Sequence, residues 1–290
     1  MAIPRISLNS HNLSTQITHS LKETGFVVLS DVPGIPEHLE PAYSFWRSYF
    51  GCAQKGLDSA KGNSQAGYFK FGTEKAKDSQ IYDLKEFYHM FFPFSQTLSV
   101  PNSKNLESVR YLAHNLNALG IHVLSMIQTE LESMQIIPNC NLAQSVIGST
   151  STLLRALHYP PVDPNTVKNA VRAAAHEDIN FITLLPAATN PGLQIKDSNG
   201  HWHNVQCEPN DVIVNVGDML TEATNGFLPS TTHRVVVHKV ITSCGPDIIE
   251  SRYSMPLFVH PRPNTFLSST YSTAELYLNQ RLKDIGLLKG

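Results

Sequence analysis

The sequence has few cysteines, and they are scattered. Cys52, Cys140, Cys207 and Cys244 form no CxxC pair, which argues against zinc fingers and disulfide scaffolds alike. Charge of either sign is also in short surplus. The formal net charge is −2 and no basic run occurs, so the phosphate-neutralising surface of a nucleic-acid binder is missing. No apolar stretch approaches membrane-spanning length, and the opening MAIPRISLNSHN holds no signal-peptide core. These absences lead us to expect a cytoplasmic protein with neither nucleic acid nor membrane as partner; they leave its oligomeric state open. What is present is a chain of 290 residues, 41% hydrophobic, with 13 histidines. That length supports one sizeable core.

The first half reads as mostly helical. Leu13, Ile17 and Leu21 recur at helical spacing before Gly25, a stop signal, and a second helix is expected over Glu37 to Phe50. Between these lies FVVLSDV (Phe26 to Val32), a short β-prone run. Residues 55–104 read as irregular and rich in aromatics, among them Tyr68, Phe69, Tyr82, Phe91 and Phe92. A long helix follows over 105–135, its stripe running from Leu106 through Leu116 and Val123 to Leu131 and Met134. From residue 142 the pattern changes to short strands divided by turn signals: STLLRALHYPP, FITLLPA, a hairpin turning at Asn199-Gly200, VIVNVGD, THRVVVHKV and SRYSMPLFVHP. Many short strands with Gly, Pro and Asn between them indicate a β-sandwich or jelly roll. The expectation is an α+β chain forming one domain over 1–290. Its parts are a mainly helical region at 1–140, a jelly-roll (double-stranded β-helix) core at 142–262 and an amphipathic helix at 272–288, with Leu276, Leu278, Leu282 and Ile285 as apolar members.

The stretch AAAHEDINF (Ala173 to Phe181) sets His176 and Asp178 two residues apart just before an apolar run. In extended backbone, positions i and i+2 point the same way, so the pair can grip one metal ion. A third ligand is available downstream in STTHRVVVHKV, where His233 opens a β-branched run. It is expected to arrive from another strand, in a facing layer of the sandwich. Two neutral imidazoles and one carboxylate suit Fe(II): they occupy one face of an octahedron and leave positions open for O2 and a co-substrate. Further on, Arg252 and Ser254 in SRYSMPLF share one strand face, the pairing of guanidinium and hydroxyl that a carboxylate would meet.

LRALHYPP (154–161), HEDINFITLL (176–185), GLQI with Trp202, VNVGDMLTEATNG (214–226), STTHRV (230–235) and RYSMPLF (252–258) occur in the order and spacing of a known family. Over roughly 150–260 the chain resembles the isopenicillin N synthase-like group of Fe(II)- and 2-oxoglutarate-dependent dioxygenases; the N-terminal half resembles it more loosely, through FVVLSDV and Gly67-Tyr68-Phe69. The resemblance implies that His176, Asp178 and His233 ligate iron, and that Arg252 and Ser254 bind the distal carboxylate of 2-oxoglutarate, with Tyr159 beside them. It implies an oxidoreductase that hydroxylates a C–H bond of a small-molecule substrate and releases succinate and CO2. One position departs from the pattern. Many plant members carry Asn two residues before the tyrosine, where this chain has Leu157. That brings the segment nearer to the bacterial and fungal branch, whose name-giving oxidase uses O2 without 2-oxoglutarate.

Two competing readings therefore stand beside the dioxygenase: an iron oxidase that draws its electrons from the substrate alone, and a non-catalytic jelly-roll binding module. The intact His176/Asp178/His233 set argues against the module, because a structural metal is usually closed by a fourth protein ligand. Other polar residues have plainer roles. His201 and His203 flank Trp202 just past a hairpin turn and read as structural. Glu177 should turn away from the metal by strand alternation. Asp218 reads as a turn residue able to orient a ligand, and Asn225-Gly226 as a turn. Tyr68 and Phe69 are candidates for substrate contact, though aromatics in such a region are more often core.

Overall fold

The computed structural model describes residues 2–62, 64–73, 83–99, 105–161, 171–237 and 250–284. The chain begins with β1 (Arg5–Ser7), α1 (Leu13–Thr24), β2 (Phe26–Ser30) and α2 (Ile35–Gly51). Gly25 ends α1 in the left-handed region (φ 71°), its N–H bonded to the Leu21 carbonyl, and a side chain there would also collide with Thr231. Next come β3 (Gly67–Phe69), β4 (Glu86–Phe91), α3 (Leu106–Ser133) and α4 (Leu142–Val146). The stripe of α3 is buried as its spacing demands, through Val109, Leu112, Leu116, Val123, Ile127 and Leu131. Each such aliphatic side chain contributes roughly 1.5–3 kcal/mol on burial. Gly120 lets the helix lie close on the sheet, since a Cβ there would stand 3.0 Å from Leu184 Cδ1 and Val259 Cγ2.

The second half supplies β5 (Leu153–Tyr159), β6 (Val171–His176), β7 (Ile182–Pro186), β8 (Leu193–Lys196), β9 (Trp202–Asn204), β10 (Val212–Val216), α5 (Asp218–Ala223), β11 (His233–Val236), β12 (Arg252–Ser254), β13 (Leu257–Val259) and α6 (Ala274–Asp284). The large sheet runs β1-β2-β10-β7-β13-β5-β4-β3, with β12 also paired to β5; the small sheet runs β6-β11-β8-β9. Among the described strands every pairing is antiparallel except β1 with β2. This is the expected jelly roll. One apolar core joins residues of α1, α2 and α3 to the helix-facing side of β7, β10 and β13, and a smaller cluster of Phe26, Val28, Ala173, Leu193, Ile195, Ile213 and Val235 lies between the sheets.

Several local expectations differ from the structure. Residues 55–104 are not wholly irregular: β3 and β4 add two strands, and β4 is buried along five of its six positions. Glu86 and His89 hid it, because a charged residue and an imidazole inside a buried strand break the apolar pattern that identifies one. Residues 142–146 form α4, a short helix capped by the Asn141 side chain, ahead of the first core strand. The metal motif precedes the strand β7, as expected, but His176 also ends another, β6, whose alanine-rich sequence gave no β signal. In α6 the buried residues are Ala274 and Tyr277, and Leu276 is 56% exposed. Ile285 and the rest of the stretch expected as helix to residue 288, Tyr82 and the run beyond Val237 lie outside the described residues.

Candidate metal and co-substrate site

His176 closes β6 and His233 opens β11, and the ladder sets them directly opposite each other. The expectation of a facing layer is thus corrected: the histidines are cross-strand neighbours in the small sheet. Asp178 follows two residues later, in the turn that carries the chain to the large sheet. One ligand atom from each of the three residues lies within 4.8 Å of the others. Asp178 Oδ1 is 3.9 Å from His176 Nε2 and 3.7 Å from His233 Nε2. No fourth His, Cys, Asp or Glu joins the cluster among the described residues.

The surroundings orient each donor. His176 Nδ1 lies 2.7 Å from the Ala174 carbonyl and His233 Nδ1 lies 3.1 Å from the Thr231 carbonyl. A carbonyl only accepts, so each Nδ1 carries the proton and each Nε2 presents its lone pair to the site. Asp178 is anchored through its other oxygen: Thr183 Oγ1 donates to Oδ2 at 2.6 Å and Asn215 Nδ2 donates at 2.9 Å. Its carbonyl accepts from the Asp218 N–H at 2.7 Å. Asp218 therefore positions a ligand through its backbone, while its carboxylate accepts from Tyr277 of α6.

Burial, and next the neighbouring His233, push the His176 imidazole below its ordinary value, so it is neutral at ordinary pH although 39% of its side chain opens to a cavity. Burial opposes ionisation of Asp178, but the two histidines and the bonds from Asn215 and Thr183 outweigh it, and the carboxyl titrates below its usual range. Two imidazole nitrogens and one carboxylate oxygen converging on one point, with no fourth described ligand, match what a facial Fe(II) site requires.

A narrow cleft continues from this cluster between the sheets. The same cleft is lined by Tyr159, Arg252 and Ser254 of the large sheet. Arg252 and Tyr159 are cross-strand partners, and Ser254 stands opposite Leu157. Arg252 is 2% exposed; its Nε donates to the Asn190 carbonyl at 2.9 Å and its Nη1 to Ser254 Oγ at 3.2 Å. Among the described residues no carboxylate pairs with it. A buried guanidinium without an acid fits a site for the carboxylate of a bound acid.

On the other side of His176 and Asp178 the site opens into a cavity of about 620 Å³. Its walls include Phe91, Leu153, Phe258, His260 and, from α6, Leu278 and Arg281. Arg155 lines both cleft and cavity, with its Nε donating to His89 Nε2 at 2.7 Å. Tyr68 and Phe69 line neither: Tyr68 donates to the buried Glu86, and Phe69 stacks on Phe87. His203 and His201 both approach Asp197, at 2.7 and 3.7 Å, as a hairpin clasp. Glu177 turns away from the ligand cluster and accepts from Thr232. Sequence reasoning missed Thr183, Asn215, Arg155 and His260. Asn215 and Arg155 did leave a signal, as polar residues inside the otherwise mostly apolar strands VIVNV and LLRALHY.

An antiparallel sandwich holding a His-x-Asp…His cluster between its sheets, beside a large cavity, defines a non-haem metal oxygenase. Residues 150–261 match the 2OG-Fe(II) oxygenase superfamily. The chain is similar along 99% of its length to the whole of a Shewanella oneidensis protein described as an oxygenase, at 36% identity and a TM-score of 0.81. It is 30% identical, with a TM-score of 0.75, to a 2OG-Fe(II) oxygenase family protein from Caulobacter crescentus, covering 98% of this chain and 99% of that one. With the 2-oxoglutarate-dependent dioxygenase htyE of Aspergillus rugulosus it shares 32% identity over 49% of this chain, which spans 43% of the length of that relative. The chain belongs to the 2OG-Fe(II) oxygenase superfamily, whose members use Fe(II), 2-oxoglutarate and O2.

Proposed function

We propose that this chain hydroxylates a C–H bond of a small molecule held in the cavity beside Asp178. His176, Asp178 and His233 hold Fe(II), and Arg252, Ser254 and Tyr159 receive the distal carboxylate of 2-oxoglutarate. The observation that carries the reading is the convergence of His176 Nε2, His233 Nε2 and Asp178 Oδ1 where the cleft of Arg252 meets the cavity. Bound there, Fe(II) and 2-oxoglutarate supply O2 activation coupled to oxidative decarboxylation, giving succinate, CO2 and an oxygen atom for the substrate.

The residues of the chain do the positioning. The backbone carbonyls of Ala174 and Thr231 hold the proton of each ring on Nδ1 and so aim each Nε2 at the site, and Thr183 with Asn215 keeps Asp178 ionised and aimed. Arg252 fixes one end of the co-substrate, which sets where its other end falls. Phe258, Leu153 and Leu278 exclude water from the reacting C–H bond. A cavity of about 620 Å³ is in the size range that encloses a metabolite-sized molecule.

The isopenicillin N synthase-like placement within the superfamily is supported by the RYSMPLF and LRALHYPP segments. A reducing, cytoplasmic setting is supported by the free thiols of Cys52, Cys140 and Cys207. Among the described residues no helix is long and apolar enough to cross a membrane. The test is to supply Fe(II), 2-oxoglutarate and ascorbate and measure succinate. Slow release without substrate, rising when a metabolite that fills the cavity is added, is expected. An iron-loaded protein that consumes O2 with substrate yet neither binds nor consumes 2-oxoglutarate would make it the oxidase instead.

A further inference from the structure

A second arginine is buried beside Tyr159, and neither the metal cluster nor the sheet pairing accounts for it. Arg172, on β6, is 2% exposed. Its guanidinium carbon lies 5.8 Å from the centre of the Tyr159 ring, and that of Arg252 lies 5.3 Å from the same centre. Two cations thus share one aromatic ring, both within cation–π range. Arg172 Nη2 donates to the Glu250 carbonyl, and the buried Nε has no partner. The Glu250 side chain does not answer the charge: it is exposed and accepts from Asn190 Nδ2 at 3.3 Å. Among the described residues no carboxylate pairs with Arg172.

Burial, followed by repulsion from Arg252, lowers the Arg172 titration to about 10. The group is still charged at neutral pH. A buried cation without an anion costs stability, and one beside a second cation costs more. The Glu250 bond does not explain the expense, since a neutral amide could make it. Paired buried cations with an orphaned donor are what remains when a site awaits an anion with charge to spare.

We propose that Arg172 is a positioning residue for the co-substrate. It adds, through Tyr159, a second positive charge at the end of the cleft where Arg252 and Ser254 receive a carboxylate, and so makes the cleft select 2-oxo dicarboxylates over 2-oxo monocarboxylates. The inference rests on the 2-oxoglutarate reading above. Arg172 does not itself line the cleft. It acts by packing on the Tyr159 ring that Arg252 also contacts and by raising the local potential in a low-dielectric interior, where a charge is felt far more than in water.

The test uses calorimetry on protein loaded with Mn(II) in place of Fe(II), titrated with 2-oxoglutarate and with 2-oxobutyrate, together with thermal unfolding of the metal-free protein. Wild type, Arg172→Leu, Arg172→Gln and Arg172→Lys are compared. Arg172→Leu is expected to lose affinity for 2-oxoglutarate by at least about tenfold, a decade of affinity being about 1.4 kcal/mol. Its affinity for 2-oxobutyrate should change less than about twofold, and its unfolding temperature should hold or rise, because a costly buried charge has gone. Arg172→Lys should recover part of the 2-oxoglutarate affinity. Arg172→Gln keeps a donor for the Glu250 carbonyl and carries the same expectation should the leucine variant not fold. Unchanged 2-oxoglutarate affinity in the neutral variants overturns the assignment. So does an equal loss for both acids together with a lowered unfolding temperature, which marks a merely structural arginine. A wild type that binds 2-oxobutyrate but not 2-oxoglutarate, or neither acid, overturns the co-substrate reading itself, a different result from wild-type binding matched by the variants.

Discussion

His176 and His233 are direct partners across the β6–β11 ladder, with ring centres 4.4 Å apart. Backbone hydrogen bonds thus fix the spacing of the two imidazoles, and the chain needs only the Asp178 turn to bring the carboxylate in.

Replacing His233 by Ala is accordingly expected to remove metal binding without unfolding the sheet. The loss should exceed the roughly 10–100-fold that altering a residue which merely orients a ligand costs. Iron analysis after reconstitution and size-exclusion chromatography checks this. Full iron content with normal turnover in His233→Ala would remove that residue from the site.

Thr183 and Asn215 touch only the oxygen of Asp178 that faces away from the cluster. Thr183→Val keeps shape and deletes one donor to a buried carboxylate. A hydrogen bond to a charged group is worth about 1.5–3 kcal/mol, and metal affinity should fall by roughly 10–100-fold. The same change should raise the Asp178 titration, moving the acid limb of Mn(II) binding to higher pH. An affinity and pH profile equal to wild type would show that Asn215 alone orients the carboxylate.

Much of this was legible in the sequence, for physical reasons. The α3 stripe and the strand series follow from periodicity, and His176, Asp178, His233, Arg252 and Ser254 were visible as residue types at fixed spacing. What was hidden depended on pairing between distant segments. Nothing local says that His233 sits opposite His176 rather than across the sandwich, because register is set by the whole sheet. The β4 strand was obscured by Glu86, a buried carboxylate that makes sense only once Tyr68, Lys55 and His158 are seen to converge on it. Arg172 gave no signal, since a lone arginine in an alanine-rich run reads as surface.

His260 offers a pH signature. Burial pushes its imidazole down to about 4, whereas an unfolded histidine titrates near 6.5. The unfolded chain therefore takes up a proton that the folded one refuses as pH falls below about 6.5, and stability declines until about pH 4, where both states are protonated. The contribution between pH 7 and pH 5 is roughly 2 kcal/mol. Urea unfolding of the metal-free protein should show His260→Asn losing less stability over this interval than wild type, whatever its stability at pH 7. Parallel losses in the two proteins would mean that His260 is protonated in the folded state.

Arg252 donates to Ser254 Oγ and to the Asn190 carbonyl while pairing with no described carboxylate. These two bonds fix the guanidinium before any acid binds, so little rotamer entropy is left to lose on binding. A contact from it to a carboxylate would be charge-assisted, worth about 1.5–3 kcal/mol per bond to the charged group. Arg252→Leu should therefore weaken 2-oxoglutarate binding by at least about tenfold, with Fe(II) affinity nearly unchanged, since the ligand cluster hangs from other strands. Arg252→Lys should restore only part, because an ammonium cannot hold Ser254, Asn190 and a carboxylate in one plane. Anaerobic titration of the Fe(II) protein with 2-oxoglutarate distinguishes the outcomes. Equal and tight binding in wild type and Arg252→Leu would keep the enzyme class and move the carboxylate elsewhere in the cleft, with Arg155 the next residue to alter because it alone lines cleft and cavity as an arginine among the described residues.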